Sequence, residues 1–491
     1  MANDSLRNKT MGGFFWMFLE KAGTTLMLFL VTLILARILS PEEYGIVSIA
    51  LVFINLANVF VTHGLNSSLI QRSEVGDVEY STAFYASLAL TSVIYLGIFA
   101  GAPLVGRYFK NDAVVPILRV LALRVPISAF NSIQRAYVSR ELQFRKFFYV
   151  TLVGTVAGAA VGIGMALGGC GAWSIVGQYL AEATARTITL FVMIDWRPKL
   201  LFSFQKLKEM FGFSWKVFMA AFFSEAYQEI RSFAIGGRYS EKDLAFFNKG
   251  KQFPQMLFIN ISSPITSVMF PVMSKKKDDL PALKHSLART IQIVTFLLFP
   301  IMTGMAAVAG PMVNILLTDK WLPCVLFLQI FCYHFAMLPI QSILEQAYKA
   351  LGRSDIMLIL FFVEKLLGIA VVLITMQFGV QAIAWGMVFS TSFDTLFHIS
   401  FAKKTLNYSL LELLKNVGNT FFCCILMLAA VLAVGLLPVP MLAKLALQVV
   451  VGVAVFAAAA ILTKSAALKY LLQVIGGKIR LPILKKLEAR L

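Results

Sequence analysis

The sequence has few charged residues for its length. Only 14% of its 491 residues are Asp, Glu, Lys or Arg, whereas 59% are hydrophobic. Soluble domains carry roughly 25% charged residues, and a soluble surface this apolar would be covered with adhesive patches. The composition therefore excludes an ordinary soluble protein and indicates a chain that is surrounded by lipid.

Residues that bind metals or form catalytic centres are also scarce. The five cysteines include no C-x-x-C pair, and the four histidines are dispersed along the chain. This spacing predicts neither a disulfide framework nor a metal site. The sequence lacks the phosphate-binding loop and the G-x-S-x-G and H-E-x-x-H motifs, which argues against an ATPase and common hydrolases. We therefore expect no enzymatic activity and no cofactor.

The formal net charge of +19 comes from an excess of Lys and Arg. Nucleic-acid-binding proteins carry such an excess, but here the basic residues lie between apolar stretches and form no separate domain. The preference of Lys and Arg for the cytoplasmic loops of membrane proteins accounts for the charge. No nucleic-acid partner is expected, whereas membrane lipids are.

Long apolar stretches follow one another along almost the whole chain. A helix needs about 20 mostly apolar residues to cross a bilayer. The sequence predicts an all-α integral membrane protein with about 14 transmembrane helices. The predicted spans are 13–37, 43–64, 81–106, 113–137, 148–168, 171–193, 213–236, 244–272, 287–317, 321–348, 355–377, 379–402, 417–437 and 441–463.

Lys and Arg concentrate in alternate loops between these spans. If the N-terminus is cytoplasmic, the basic clusters at 140–146, 197–208 and 275–284 and the tail at 464–491 all lie on the cytoplasmic side. The positive-inside rule therefore predicts a multi-pass protein of the bacterial cytoplasmic membrane with both termini in the cytoplasm. The basic, amphipathic tail is expected either to lie on the membrane surface or to cover the cytoplasmic face of the bundle.

Short motifs recur in the same order in the two halves of the chain. Residues 13–16 (GFFW) resemble 212–215 (GFSW), and residues 134–137 (QRAY) resemble 345–348 (EQAY). Ser40 and Ser240 each precede an acidic residue by three positions, which is a capping pattern for the second helix of each half. The repeat predicts two pseudo-symmetric six-helix bundles at 1–200 and 201–404, followed by two extra spans at 405–463 and the tail at 464–491.

Polar and charged residues lie inside several spans at helical spacing. Arg124, Ser128, Asn131 and Arg135 share one face of the fourth span, and the eighth span carries a similar stripe. Each residue alone could be a buried ion pair or a helix–helix contact. The set predicts a hydrated cavity between the two halves, in which cations hold a phosphate or an acidic sugar. The candidate substrate-binding residues are Arg124, Asn131, Arg135, Lys249, Lys251, Gln255 and Asn55.

Three segments carry a family resemblance. Residues 35–45 (LARILSPEEYG), within 12–61, are similar to the opening of Wzx-type polysaccharide flippases of the multidrug/oligosaccharidyl-lipid/polysaccharide (MOP) exporter superfamily. Residues 135–145 (RAYVSRELQFR) and 347–355 (AYKALGRSD) resemble two later loops of that family. The resemblance extends over nearly the whole chain, and fourteen spans agree with it.

The resemblance implies a function. It implies transport of undecaprenyl-diphosphate-linked oligosaccharide from the cytoplasmic to the outer leaflet by alternating access, in a V-shaped molecule like the MATE transporters. The polymer would be an exopolysaccharide, capsule, O-antigen or similar product. A polymerase and glycosyltransferases of the same pathway would be partners. Coupling to H⁺ or Na⁺ would use the acidic spans, with candidate residues Glu20, Lys21, Glu225, Glu229, Arg231, Glu345 and Asp394.

Two other functions are weighed against this one. A cation-coupled multidrug antiporter of the same superfamily would need a net acidic cavity, whereas the predicted lining is mixed to basic. A membrane enzyme acting on the same lipid carrier, such as a polymerase or ligase, would more often have a large outer loop, and the predicted outer loops are all short.

Overall fold

The computed structural model describes residues 23–63, 65–72, 75–140 and 143–478. In these ranges the chain is helical and has no β-strand. The helices are α1 (Gly23–Ile38), α2 (Pro41–Thr62), α3 (Leu65–Gln71), α4 (Asp77–Tyr108), α5 (Val114–Leu121), α6 (Arg124–Arg140), α7 (Phe144–Leu167), α8 (Trp173–Met193), α9 (Phe204–Arg238), α10 (Glu241–Ser274), α11 (Leu280–Ala307), α12 (Ala309–Leu317), α13 (Cys324–Ala350), α14 (Ser354–Thr375), α15 (Val380–Leu406), α16 (Leu410–Gly435), α17 (Met441–Leu462) and α18 (Ala466–Lys478).

Among the described residues, 10 helical segments are long and apolar enough to cross a membrane, with α5 and α6 forming one of them. The predicted class, an all-α membrane protein, is confirmed. Helices α8, α9 and α15 are 21, 35 and 27 residues long, but polar side chains lower their hydropathy below that of the ten. The count of fourteen spans stays a prediction.

Side chains at two helix starts form the predicted caps. Ser40 Oγ accepts a hydrogen bond from the Glu43 backbone N–H at 3.3 Å, and the Ser40 N–H donates to the Glu43 carboxylate at 2.7 Å. Ser240 and Asp243 make the equivalent pair of bonds at 3.0 and 3.3 Å. These caps satisfy backbone groups that helix ends leave without partners. They explain why α2 and α10 begin where they do.

The helices group into two compact units, Met1–Ala245 and Phe246–Leu491. Helix α9 lies in the first unit, because its aromatic side chains pack against rings of α2 and α4. The rings of Phe60 and Phe218 lie 4.4 Å apart between centroids, and those of Tyr108 and Phe233 lie 5.1 Å apart. The predicted boundary between 200 and 201 follows the sequence repeat rather than these contacts, and the predicted domain limits stay predictions.

The described part of the C-terminal tail packs against its own unit. In α18, Ala467 is buried in a cluster that includes Phe296 of α11 and Cys423 of α16, and Leu468 and Leu471 pack against that cluster. The guanidinium of Arg289 lies 3.5 Å from the centre of the Tyr470 ring. These contacts favour a helix that covers the bundle over one that lies free on the membrane. The predicted tail beyond 478 is outside the described residues.

Candidate functional site

A polar cavity of about 490 Å³ lies within the first unit. Its walls come from α2, α3, α6, α7 and α8. Ionisable residues inside membrane helices are energetically costly, so a cavity that gathers several of them is a candidate functional site. Its charged and amide-bearing lining residues are Asn58, Asn66, Arg124, Asn131, Arg135, Glu182 and Arg186.

Helix α6 supplies the predicted polar stripe. Arg124, Ser128, Asn131 and Arg135 all line the cavity, so the expected single face of this helix is confirmed. The opposite side of α6 is buried through small and branched apolar residues such as Ile133. The stripe is thus held in place by packing behind it.

Neighbouring helices position the side chains of the stripe. The Arg124 guanidinium lies 4.6 Å from the Tyr179 ring centre, and that of Arg135 lies 5.9 Å from the Phe147 ring centre. Stacking on a ring uses the face of a guanidinium and leaves its N–H donors in the plane. Asn131 Nδ2 donates to Thr187 Oγ1 at 3.0 Å. The arrangement can present fixed donors to an anionic group in a weakly polar surrounding.

Sequence reasoning missed two charged residues of this cavity. Glu182 and Arg186 lie one turn apart on α8 and form an ion pair with 2.6 Å between Oε1 and Nη2. Their spacing was visible in the sequence, because both lie within a predicted span. A pair four residues apart resembles a self-contained helix contact, and only the packing shows that it faces the cavity.

Glycines of α7 allow α8 to come close. A Cβ added at Gly154 would lie 2.2 Å from Arg186 Cγ, and one at Gly158 would lie 2.9 Å from the Gln178 carbonyl oxygen. Small residues at four-residue spacing let two membrane helices pack through their backbones. The hairpin turns through Gly169 and Gly171, whose φ angles are +75° and +55°, as the glycine-rich sequence there predicts.

Replacing Gly158 with alanine is expected to destabilise the protein. The new methyl group would meet backbone of α8, which cannot rotate away, and such overpacking costs about 1–3 kcal/mol. A matched control is Gly164→Ala on the same helix, where a Cβ would find no atom within 4 Å. The control should be neutral or slightly stabilising, because alanine favours helix over glycine. Thermal unfolding midpoints in detergent measure both, and equal midpoints for the two variants would contradict the packing account.

Two further candidates of the first unit pair with each other. Asn55 Nδ2 on α2 donates to Glu229 Oε1 on α9 at 2.9 Å. Arg231 is buried, and its Nη2 donates to the Tyr227 hydroxyl at 3.3 Å. Glu225 is half-buried on the same helix. None of these residues lines the cavity described above, while Glu20 and Lys21 lie outside the described residues.

The candidates on α10 are placed differently from those on α6. Lys249 is only 4% exposed, and its Nζ lies 5.1 Å from the Trp321 ring centre. Lys251 and Gln255 are half-buried. Gly250 lies against α13, where an added Cβ would be 2.8 Å from the Leu328 backbone nitrogen. The close approach of α13 therefore accounts for the burial of this part of α10.

The second unit contains a polar cluster around α13, α14 and α15. His398 is fully buried, and its Nε2 lies 2.5 Å from Glu364 Oε1. The Tyr348 hydroxyl donates to the His398 carbonyl at 2.6 Å, and Gln341 Nε2 donates to Thr395 Oγ1 at 2.9 Å. Two ion-coupling candidates lie on these helices. Glu345 pairs with Lys349 at 3.9 Å, and Asp394 is half-buried on α15.

The chain matches a known protein family. The family described as polysaccharide biosynthesis protein matches residues 34–326. The chain belongs to this family. The match confirms the resemblance read from the sequence, and it covers the cavity of the first unit.

Relatives with known roles are similar over much of the chain. The succinoglycan biosynthesis transport protein ExoT of Rhizobium meliloti (strain 1021) is 27% identical over 307 residues, which is 62% of each chain and so less than two thirds of that relative. The lipopolysaccharide biosynthesis protein WzxC of Escherichia coli (strain K12) is 23% identical over 354 residues, 72% of each chain.

Solved structures show the same fold. The lipid II flippase MurJ, in an inward closed conformation, superimposes with a TM-score of 0.72 at 12% identity, covering 92% of this chain and 98% of that one. An inward-facing multidrug resistance transporter of the MATE family gives a TM-score of 0.61 at 14% identity, covering 79% and 98%. At such identities the likeness shows that this chain shares their all-helical fold.

Proposed function

We propose that this protein moves an undecaprenyl-diphosphate-linked oligosaccharide from the cytoplasmic to the outer leaflet of the bacterial cytoplasmic membrane. The observation that carries the proposal is the arginine-lined cavity in the apolar first unit. Movement by alternating access would deliver the saccharide for assembly of a surface polymer. Family membership and the names of the relatives ExoT and WzxC support this class of cargo.

The chemistry of the cavity matches such a cargo. Arg124, Arg135 and Arg186 line it together with one carboxylate, Glu182. Guanidinium groups bind phosphate oxygens through paired, charge-assisted hydrogen bonds. Amide and hydroxyl side chains in the same wall, including Asn131, match the hydroxyl groups of a sugar. The polyprenyl chain would stay in the surrounding lipid.

Orientation, energy source and partners complete the proposal. Both termini would be cytoplasmic, as the distribution of Lys and Arg predicts. Transport would be coupled to H⁺ or Na⁺ through acidic residues such as Glu229, Glu345 and Asp394. A polymerase and glycosyltransferases of the same pathway would supply and consume the lipid-linked saccharide.

A cation-coupled multidrug antiporter is the second candidate, because a MATE transporter shares the fold. The cavity of the first unit disfavours it. Among the described residues, three arginines and one glutamate give the lining an excess of positive charge, which repels a cationic drug. The two functions therefore make opposite demands on the same side chains.

Transport by the purified protein tests the proposal. Proteoliposomes would contain undecaprenyl diphosphate bearing a fluorescent oligosaccharide, and a membrane-impermeant reductant would quench the label in the outer leaflet. We expect the protein to make the inner-leaflet half of the label accessible, whereas protein-free liposomes keep it protected. A parallel assay would measure uptake of ethidium. Ethidium transport without movement of the lipid would contradict the proposal and favour the antiporter.

A further inference from the structure

We propose that Glu182 is a built-in counter-ion that pairs with Arg186 and is displaced from it by the anionic group of the cargo. The inference rests on the proposed function, since it assigns the cargo anion to this cavity. It makes Arg186 an anion-binding residue and Glu182 a positioning residue. Their exchange of partners would set how tightly the cargo is held and how readily it is released.

The two members of the pair are exposed to different degrees. The Glu182 side chain is 9% exposed, whereas that of Arg186 is 27% exposed, and both line the cavity. The Glu182 side chain is thus the more enclosed of the two, and more of the Arg186 side chain is accessible. An incoming anion would reach Arg186 before it reached Glu182.

The guanidinium also has unused hydrogen-bonding capacity. Arginine has five N–H donors in a planar fork. One Nη2 contact reaches Glu182, whereas Arg186 Nε is buried and, in the described structure, has no hydrogen-bond partner. A buried donor without an acceptor is unfavourable. Once the guanidinium turns into the cavity, a phosphate or carboxylate oxygen from the cargo would supply the acceptor.

Helix α7 fixes the position of both side chains. The Arg186 stem lies over Gly154, where an added Cβ would be 2.2 Å from Cγ and 3.0 Å from Nε. At Gly158, an added Cβ would be 3.0 Å from Glu182 Cβ. Since neither stem can move towards α7, the guanidinium is limited to swinging between the Glu182 carboxylate and the cavity.

The other two arginines give the exchange a direction. Arg124 and Arg135 share the cavity with the pair, so an anion with two or more charges can contact several guanidinium groups at once. A single carboxylate cannot match that number of charge-assisted bonds. A diphosphate or a polyanionic sugar therefore displaces Glu182, and Glu182 takes Arg186 back when the cargo leaves.

Binding of inorganic pyrophosphate by the purified full-length protein in nanodiscs tests this exchange through a double-mutant cycle. We expect Glu182→Gln to tighten pyrophosphate binding about tenfold, because Arg186 no longer has a competing partner, and Arg186→Gln to weaken it about tenfold. In the Arg186→Gln background, Glu182→Gln should change the affinity by less than about twofold. Glu182→Asp should restore behaviour close to that of the unmodified protein.

Two outcomes would overturn the inference. One is unchanged affinity in Glu182→Gln; the other is an equal gain in the presence and absence of Arg186, which would show a general charge effect. Size-exclusion profiles and melting midpoints identify variants that fail to fold, and Glu182→Ala, which also removes the competing carboxylate, then replaces Glu182→Gln in the cycle. Arg119→Gln is a control, because Arg119 lies in the same unit against Phe99 and does not line the cavity.

Transport kinetics separate this inference from the proposed function. In the lipid-movement assay, Glu182→Gln should lower the KM and also lower kcat, since tighter holding slows release. If the unmodified protein moves the lipid but the mutant cycle shows no coupling between Glu182 and Arg186, the counter-ion proposal is wrong and the proposed function is supported. If the mutant cycle shows coupling but the protein moves no lipid, the anion site is supported and the proposed lipid-linked cargo is wrong.

Discussion

Movement of the lipid-linked saccharide is expected to fall about 100-fold or more when Arg124 and Arg135 are both replaced with glutamine. Each charge-assisted hydrogen bond contributes about 1.5–3 kcal/mol, and 1.4 kcal/mol corresponds to a factor of ten. Both residues line the cavity on α6, and the guanidinium of each lies over an aromatic ring of a neighbouring helix. Their loss should therefore reduce transport more than stability.

The proteoliposome rate and the amount of surface polymer in the host measure this effect. A matched control is the double variant Arg107→Gln and Arg119→Gln, which removes the same charge from residues of the same unit outside the cavity lining. The control should transport at close to the original rate. If the double variant at Arg124 and Arg135 transports normally at equal protein abundance, the cavity does not take part in transport.

Replacing His398 with leucine is expected to cost about 3 kcal/mol of stability. The Glu364 carboxylate would remain in a largely buried position without the imidazole that now lies 2.5 Å from it. His398 is fully buried, so water cannot easily replace the lost contact. The free energy of unfolding, from titration with sodium dodecyl sulfate, measures the change.

Replacing both Glu364 and His398 shows whether the loss of stability comes from the unpaired carboxylate or from lost packing of the imidazole. A double variant, Glu364→Leu and His398→Leu, should recover much of the lost stability, because buried polar pairs often tolerate exchange for apolar residues of similar size. A double variant as unstable as His398→Leu would mean that the imidazole acts mainly through packing, for example against the Tyr348 ring that stacks 6.3 Å away.

Local spacing predicted the parts of the site that lie on one helix. The positions of Arg124, Asn131 and Arg135 follow from helical periodicity alone, and the structure brings them to one cavity. The caps at Ser40 and Ser240 are equally local, since all their atoms lie within one helical turn. A membrane helix class was predictable because lipid requires long apolar segments.

Contacts between helices were not predictable from a single sequence. The contact between Glu364 and His398 could not be predicted, because residues 34 positions apart meet only after α14 packs on α15. Lys249 lies beside the polar stripe of α10, yet Trp321 and α13 cover it. Periodicity gives the face of a helix but not what that face meets. The cavity role of Glu182 and Arg186 was hidden for the same reason.

The glycine face of α7 has a consequence for how the protein enters the membrane. Helix α8 carries two full charges, and each would cost about 2.5–3.5 kcal/mol if it entered the lipid alone at the bilayer centre. The charges are paired with each other, and α7 already precedes them in synthesis with a surface that fits them. We expect α8 to leave the translocon as a hairpin with α7, so that biogenesis of this segment depends on its neighbour rather than on its own hydropathy.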